Sequence, residues 1–320
     1  MNKKIIRLST IIIALFLIGC AHIPVATSLG IHVPSEIQPF EKSKKKIEVA
    51  LVLGGGGARG IAHVGVLEVL EKEGIPIDLI VGTSAGAVVG ALYGSFYDVH
   101  KVKSMLLGLN KWDVLDISMC SMWRMVYEAS GPISGYALQK FLKETIPETN
   151  IEELRIPFAA VAVDIETSSP FIMRSGPIAP AVHASAAIPP FFAPVKLYGK
   201  TLVDGGVALP VPVSVAKEYN PKLIIAVNIS SPPKKGELEG CVDLSYRSLV
   251  VSYYVLSNMQ SQQADVVIHP ELDGFGLFDD KNKEEVYRRG LAAAQAAIPA
   301  IKEKLYALKI PLRNSHSLNN

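Results

Sequence analysis

The distribution of apolar residues first becomes regular at residue 47. A mainly apolar run over 47–53, rich in β-branched residues, is typical of a strand buried on both faces of a parallel sheet. After a glycine cluster, apolar residues recur at the spacing of one helix face: Ile61, Val64, Leu67 and Leu70. Gly74 is the expected end of that helix. A second strand over 77–81 and a second helix over 85–93 follow, and this alternation predicts a parallel sheet covered by helices on both faces.

The rest of the chain continues this mixture of strands and helices. Further strands are predicted over 158–163, 171–173, 195–198, 201–203, 223–227 and 266–269. Two long helices, near 243–261 and 283–306, flank the last of these strands. No repeat and no interdomain linker is visible after residue 47, so we expect one folded domain over 48–310 and a flexible tail over 311–320.

The first residues have the pattern of an export signal. An apolar stretch over 11–18 follows three positive residues, and it is shorter than the ~20 residues needed to span a bilayer. It ends in Leu-Ile-Gly-Cys20, which resembles the bacterial lipobox. That resemblance implies a signal peptide over 1–19, a lipidated Cys20, a tether over 20–47 and, because Ala21 follows the cysteine, anchoring in the bacterial cell envelope at the outer membrane. The alternative is a plain signal peptide in which Cys20 is accidental.

Charge and cysteine content narrow the classes of partner. Removal of residues 1–19 leaves 29 basic and 30 acidic residues, a net charge of −1, which provides no electrostatic surface for nucleic acid. No cysteine–histidine cluster has metal-ligand spacing, and no cofactor is expected. An exported protein could oxidise Cys120 and Cys241 to a disulfide, but the sequence does not show that they approach one another, and two unreactive thiols are the expectation.

A glycine-rich loop over 54–60 lies between the first predicted strand and helix. Glycines leave backbone N–H groups uncovered, and together with a helix N-terminus these donors suit an anion, either a phosphate or a developing oxyanion. Gly55, Gly57 and Gly60 also satisfy the dinucleotide-binding fingerprint G-x-G-x-x-G. That fingerprint requires an acidic residue at the end of the second strand, and none is present there.

The second strand is followed by Gly82-Thr83-Ser84-Ala85-Gly86, which has the G-x-S-x-G pattern. Between a strand and a helix, this pattern forms a sharp turn that raises the serine hydroxyl to the helix N-terminus, with Gly82 and Gly86 relieving the crowding. The alternative is a glycine-lined helix–strand crossing with an idle Ser84.

A third motif, Asp204-Gly205-Gly206, follows the strand that ends at Val203. Serine is a weak nucleophile until a neighbouring base takes its proton. An aspartate at a strand end, followed by glycines, can approach another backbone closely enough to be that base. By itself the motif is usually only a turn.

Together, in this order, the three motifs resemble those of the patatin-like phospholipase family. Members carry a glycine-rich oxyanion loop with a basic residue, then G-x-S-x-G, then Asp-Gly-Gly or Asp-Gly-Ala. Here the loop is 55–60, the serine motif begins 22 residues later, and the segment 184–192 is similar to the family's segment before the aspartate. The resemblance runs from about residue 48 to about residue 305. Relatives often carry an asparagine where this chain has Leu209, so the contact made there is in question.

The resemblance implies a three-layer α/β/α fold with a mainly parallel central sheet, and a serine acyl hydrolase of the phospholipase A, lysophospholipase or esterase type. Ser84 would be the nucleophile and Asp204 its base, with no catalytic histidine. The N–H groups of an oxyanion hole would come from Gly55, Gly56 and Gly57. Arg59 would organise the loop or attract a phosphate head group. The expected partners are a lipid or other acyl ester and, through Cys20, a membrane.

Three alternatives stay open at this stage. One is a Ser84–Asp204–His269 triad on an α/β-hydrolase fold, since that order is allowed. His63 and His183 lie among alanines and valines and are expected to be packing or surface residues. The other two are an acyltransferase that uses the same acyl-enzyme, and a non-catalytic lipid-binding outer-membrane lipoprotein.

Overall fold

The structure of the protein is a computed structural model, and it describes residues 28–32, 34, 36, 46–110, 113–116, 131–233, 236–237 and 240–313. The expected signal peptide, the lipidation site at Cys20, most of the tether and Cys120 lie outside these residues. Cys241 is an exposed free thiol. Among the described helices, none is long and apolar enough to cross a membrane.

Within the described residues, eight strands form a single sheet. They are β1 Val49–Leu53, β2 Leu79–Thr83, β3 Phe158–Asp164, β4 Ser169–Met173, β5 Val195–Leu197, β6 Lys200–Asp204, β7 Leu223–Val227 and β8 Val266–Ile268. The order is β5-β6-β3-β2-β1-β7-β8, with β4 paired to β3. The five strands from β3 to β8 in this order are mutually parallel, whereas β4 and β6 run antiparallel to β3. The predicted, mainly parallel sheet is confirmed.

Eight α-helices accompany the sheet in the described part of the chain: α1 Ile61–Lys72, α2 Ala85–Phe96, α3 Val99–Gly108, α4 Tyr136–Thr145, α5 Ile178–Ser185, α6 Val213–Lys217, α7 Cys241–Ser261 and α8 Lys283–Ala307. Alternate residues of β1 enter two separate apolar clusters. Leu51 and Leu53 pack with α1, α2, α5 and α8, whereas Ala50 and Val52 pack with α6. The sheet therefore has helices on both faces, as predicted.

The second strand begins later than the predicted range of 77–81. Its N-terminal neighbour Asp78 uses its carboxylate to accept the N–H groups of Glu48 and Val49, at 3.1 and 3.0 Å. Pairing with β1 starts only at Leu79. The side chain of Asp78 thus fills the place of a backbone partner at the start of the sheet.

Strand β3 brings two other strands end to end. β4 pairs with residues 160–164 of β3 and occupies one edge. β2 pairs with 158–161 and β6 with 162–164, so both lie along the opposite edge. Because β2 is parallel to β3 and β6 is antiparallel, the C-terminal ends of β2 and β6 point at each other. The residues at and just after these two strand ends are therefore brought close together.

Candidate active site

Ser84 occupies a strained turn between β2 and α2. Its φ of 55° and ψ of −122° are sparsely populated by residues other than glycine, and such strain is concentrated at functional sites. The flanking glycines are required: a Cβ at Gly82 would lie 2.6 Å from the carbonyl oxygen of Gly86, and a Cβ at Gly86 would lie 2.1 Å from that of Leu53. The turn has the geometry that the G-x-S-x-G pattern predicts.

Ser185, at the end of α5, stabilises this turn through two hydrogen bonds. Its hydroxyl accepts the backbone N–H of Ser84 at 3.0 Å and donates to the carbonyl of Val161 at 2.6 Å, and all these groups are buried. Sequence reasoning did not mark Ser185 as a site residue. The only signal was its place in the segment 184–192, which resembles the family's segment before the aspartate.

Asp204 ends β6 with its side chain buried near Ser84. Its Oδ1 accepts the N–H of Gly206 at 2.6 Å, whereas Oδ2 is buried and has no partner within the described residues. Burial raises the pKa of the Asp204 carboxyl to about 7, and interactions with the Ser84 side chain and the Gly206 N–H limit the rise. The two side chains therefore interact without complete hydrogen-bond geometry, which is common before a substrate binds.

The glycine-rich loop follows β1 and forms a short 3₁₀ turn over Gly57–Gly60. The N–H of Gly55 donates to the carbonyl of Pro210 at 3.0 Å. Among the described residues, no acceptor lies on the N–H groups of Gly56 and Gly57. Of the three N–H groups expected in the oxyanion hole, that of Gly55 is therefore engaged by Pro210 in this structure.

Two buried side chains hold the loop in place. The Arg59 guanidinium donates from Nε to the carbonyl of Gly56 at 3.2 Å and from Nη1 to Ser231 Oγ. His63, on α1, hydrogen bonds through Nε2 to the carbonyl of Gly54 at 2.7 Å, and burial lowers its pKa to about 4, so the ring is neutral. Both bonds of Arg59 are internal, which favours its loop-organising role over contact with a head group.

Leu209 stands where relatives often carry asparagine. Its carbonyl accepts the Thr83 hydroxyl at 2.8 Å, and its N–H donates to the carbonyl of Gly205 at 2.7 Å. The end of β2 and the loop after Asp204 are thus joined through the backbone of Leu209, with no polar side chain at that position.

Two cavities meet at Ser84. The larger, of about 480 Å³, also reaches Asp204, Arg59 and the loop glycines Gly56 and Gly57. The smaller, of about 200 Å³, is lined almost entirely by apolar side chains, among them Val88 and Phe141. Helix α7 covers the larger cavity with Tyr253, a residue that no sequence motif marked.

His269 is not brought to this site. It follows β8, lines neither cavity, and its charged neighbours are Glu271 and Asp273. His183 is buried and bonds to Gln139. No group of His, Cys, Asp or Glu side chains in the described part of the chain could hold a metal ion.

Comparison with known proteins shows which sequences this chain resembles. The sequence model of the patatin-like phospholipase family matches residues 51–217. Lysophospholipase NTE1 of Scheffersomyces stipitis is 30% identical over 273 residues, covering 76% of this chain and 17% of that protein. Patatin-like phospholipase domain-containing protein 6 of Mus musculus is 31% identical over 231 residues, covering 70% of this chain and 16% of that protein. The chain thus spans less than a fifth of the length of these relatives.

The fold has a counterpart among solved structures. The crystal structure of VipD from Legionella pneumophila superposes with a TM-score of 0.51 at 14% identity, covering 83% of this chain and 70% of that one. At this identity the likeness concerns the fold alone.

Proposed function

The chain belongs to the patatin-like phospholipase family, and from this premise we propose that it is a serine acyl hydrolase that cleaves lipid acyl esters with Ser84 as nucleophile and Asp204 as base. The observation that carries the proposal is the approach of a strained Ser84 to a buried carboxyl whose Oδ2 has no partner among the residues that the structure describes. An acyl-transfer site also needs hydrogen-bond donors for the oxyanion, and the adjoining N–H groups of Gly56 and Gly57 can supply them.

The reaction follows from these positions. Asp204 takes the proton of Ser84 Oγ as that oxygen attacks the ester carbonyl. The N–H groups of Gly56 and Gly57 stabilise the oxyanion, each contributing about 3 kcal/mol. Asp204 then gives its proton to the leaving alkoxide, and an acyl-enzyme remains on Ser84. In the second half of the reaction the same carboxylate takes a proton from the water that attacks the acyl-enzyme, and it gives this proton to Ser84 Oγ as the acid leaves.

The surroundings favour a lipid substrate. The cavity beside Ser84 that reaches Val88 and Phe141 offers an apolar environment for an acyl chain. The relatives named lysophospholipase and patatin-like phospholipase support the same substrate class. We also propose, from the lipobox-like sequence alone, that Cys20 is lipidated and anchors the chain at the bacterial outer membrane. Incorporation of labelled palmitate that a Cys20→Ala substitution abolishes would test this anchor.

The decisive experiment compares the full-length chain in detergent with three variants on a p-nitrophenyl ester and on labelled phospholipid. We expect Ser84→Ala and Asp204→Asn to lose nearly all activity and His269→Ala to keep it. Loss of activity in His269→Ala would instead favour the triad. Products formed with an added alcohol acceptor separate hydrolysis from acyl transfer. A parent that is inactive on both substrates, or a Ser84→Ala variant that matches it, would leave lipid binding as the better reading.

A further inference from the structure

Tyr253, on α7, fits between the two glycine motifs of the site. Its hydroxyl oxygen lies 2.6 Å from the point where a Cβ of Gly55 would stand, and Ser84 Cβ lies 3.0 Å from the same point. Its ring atom Cε2 lies 2.6 Å from the point where a Cβ of Gly206 would stand, with Asp204 Oδ1 2.9 Å from that point. A side chain at either glycine would displace the ring, so both glycines make room for this phenol.

The hydroxyl of Tyr253 is a buried polar group next to the site. Its oxygen is fully buried and has no hydrogen-bond partner within the described residues, although the ring itself is only half-buried. Tyrosine hydroxyls are normally paired when buried, and a buried unpaired donor costs stability. A native structure that retains one requires an explanation. Tyr253 lines the same cavity as Ser84 and Asp204, so the unpaired group is next to the site of reaction.

At the position of the Tyr253 hydroxyl, the glycine loop directs no backbone N–H group toward Ser84. The Gly55 N–H is directed to the carbonyl of Pro210, away from the site. The hydroxyl of Tyr253 approaches the face of Gly55 that is turned toward Ser84. A side-chain donor therefore stands beside the residue whose backbone donor is committed elsewhere.

We propose that the Tyr253 hydroxyl is the third hydrogen-bond donor to the acyl oxygen during the reaction at Ser84, together with the N–H groups of Gly56 and Gly57. This proposal rests on the proposed hydrolase function. The hydroxyl donates a hydrogen bond to the oxyanion and keeps its proton throughout, so Asp204 stays the sole group that transfers one. Burial, and secondarily the negative charge of Asp204, raise the pKa of Tyr253 and keep its hydroxyl protonated.

The test removes only the hydroxyl. For Tyr253→Phe, measured as full-length protein in detergent on a p-nitrophenyl ester, we expect kcat/KM to fall by about 10²-fold, as for loss of one oxyanion donor. The Tm should be unchanged or higher, because an unpaired buried group has been removed. Tyr254→Phe is the matched control: it deletes the same atom from the neighbouring residue of α7, which lines neither cavity, and should behave like the parent.

A second series distinguishes the acyl oxygen from the leaving group. Aryl and alkyl esters of one acid, with leaving groups of increasing pKa, should all lose the same factor in Tyr253→Phe. A trifluoromethyl ketone with the same acyl chain should bind more weakly by a similar factor, because its adduct carries the oxyanion. A loss that grows with the leaving-group pKa would overturn the proposal in favour of a leaving-group acid. A loss of activity accompanied by a lower Tm and unaltered ketone affinity would also overturn it, because it would indicate a packing role.

The two proposals fail in different ways. If Ser84→Ala abolishes activity but Tyr253→Phe equals the parent, the hydrolase function stands and the role of Tyr253 is rejected. If the activity does not depend on Ser84, both proposals are rejected.

Discussion

Thr83 and Asp204 end two strands that run toward each other along one edge of β3, pairing with the consecutive residues Val161 and Ala162. β4 occupies the opposite edge, so β2 and β6 have to share this one. The serine that follows Thr83 therefore meets the carboxylate at the end of β6. The turn beyond Asp204 also fits closely, because a Cβ at Gly205 would lie 2.3 Å from the Val161 carbonyl oxygen.

The pH dependence of activity should report the Asp204 carboxyl. Burial raises its pKa to about 7, and a general base works only when deprotonated. We expect kcat/KM on an uncharged ester to be constant above about pH 8 and to fall by about tenfold per pH unit below 7. A pH–rate profile of the parent is the measurement. A profile that stays flat down to about pH 5 would show that no buried carboxyl of this pKa acts as base.

Asp204→Asn should stabilise the protein at neutral and alkaline pH while it removes activity. The pKa of the Asp204 carboxyl is about 7 in the folded protein, whereas its ordinary value is 3.8. Folding therefore favours the neutral form of the carboxyl. That contribution is fully present below about pH 4 and is lost as pH rises through 7, amounting to a few kcal/mol. Tm values of parent and variant should converge at about pH 4, separate progressively as pH rises to about 7 and differ by a constant amount above it, the variant being higher. Equal Tm values at all pH values would contradict the raised pKa.

Ser185→Ala should weaken both the turn and the fold. It removes the acceptor of the Ser84 N–H and the donor to Val161, leaving two buried backbone groups unpaired. Each unpaired group costs about 1–3 kcal/mol, and a small displacement of Ser84 lowers kcat by up to about 10²-fold. Urea unfolding and kcat measure the two effects. Ser245→Ala, at an exposed position of α7, is the control and should leave both unchanged.

Gly86→Ala should disrupt the fold even though alanine favours helices. In α2 the new Cβ would lie 2.1 Å from the Leu53 carbonyl oxygen, so β1 and α2 would have to separate. Overpacking typically costs about 1–3 kcal/mol, and so short a contact with a backbone oxygen belongs at the upper end of that range, above the roughly 1 kcal/mol gained from helix propensity. Gly108→Ala, at the end of α3 with nothing within 4 Å, is the comparison and should be neutral or stabilising. If the two variants unfold at the same urea concentration, the close approach at Gly86 is wrong.

Arg59→Lys should lower activity on neutral and charged substrates alike. The guanidinium joins the Gly56 carbonyl to Ser231, and a lysine cannot make both bonds in the same fork. Lost hydrogen bonds to a charged group correspond to about a 10-fold to 100-fold effect. We expect similar factors in kcat on a p-nitrophenyl ester and on phospholipid, with exposed Arg155→Lys as control. A loss confined to the phospholipid would favour a head-group role instead.

Much of the fold and half of the site were predictable from short stretches of sequence. The run of apolar residues in β1 predicts a strand buried on both faces, because a strand between two helical layers has no polar side. The Gly82–Gly86 turn was also predictable from its pattern. Gly82 is required by the carbonyl of Gly86 within the same five residues, although Gly86 is required by the carbonyl of Leu53 in the neighbouring strand β1. Where a side chain replaced a backbone partner, as at Asp78 before β2, the predicted boundary was wrong.

The sequence by itself determined the strand and helix types, the strained Ser84 turn and the presence of an aspartate at a strand end, because each depends on contacts between near neighbours in the chain. Only the tertiary structure decided that Asp204 meets Ser84, since this depends on the register of β6 on β3. It also decided that Gly55 donates to Pro210 and that Tyr253 lies over both glycine motifs. Such partners come from distant segments, whose approach is set by sheet register and helix packing, and neither leaves a local pattern.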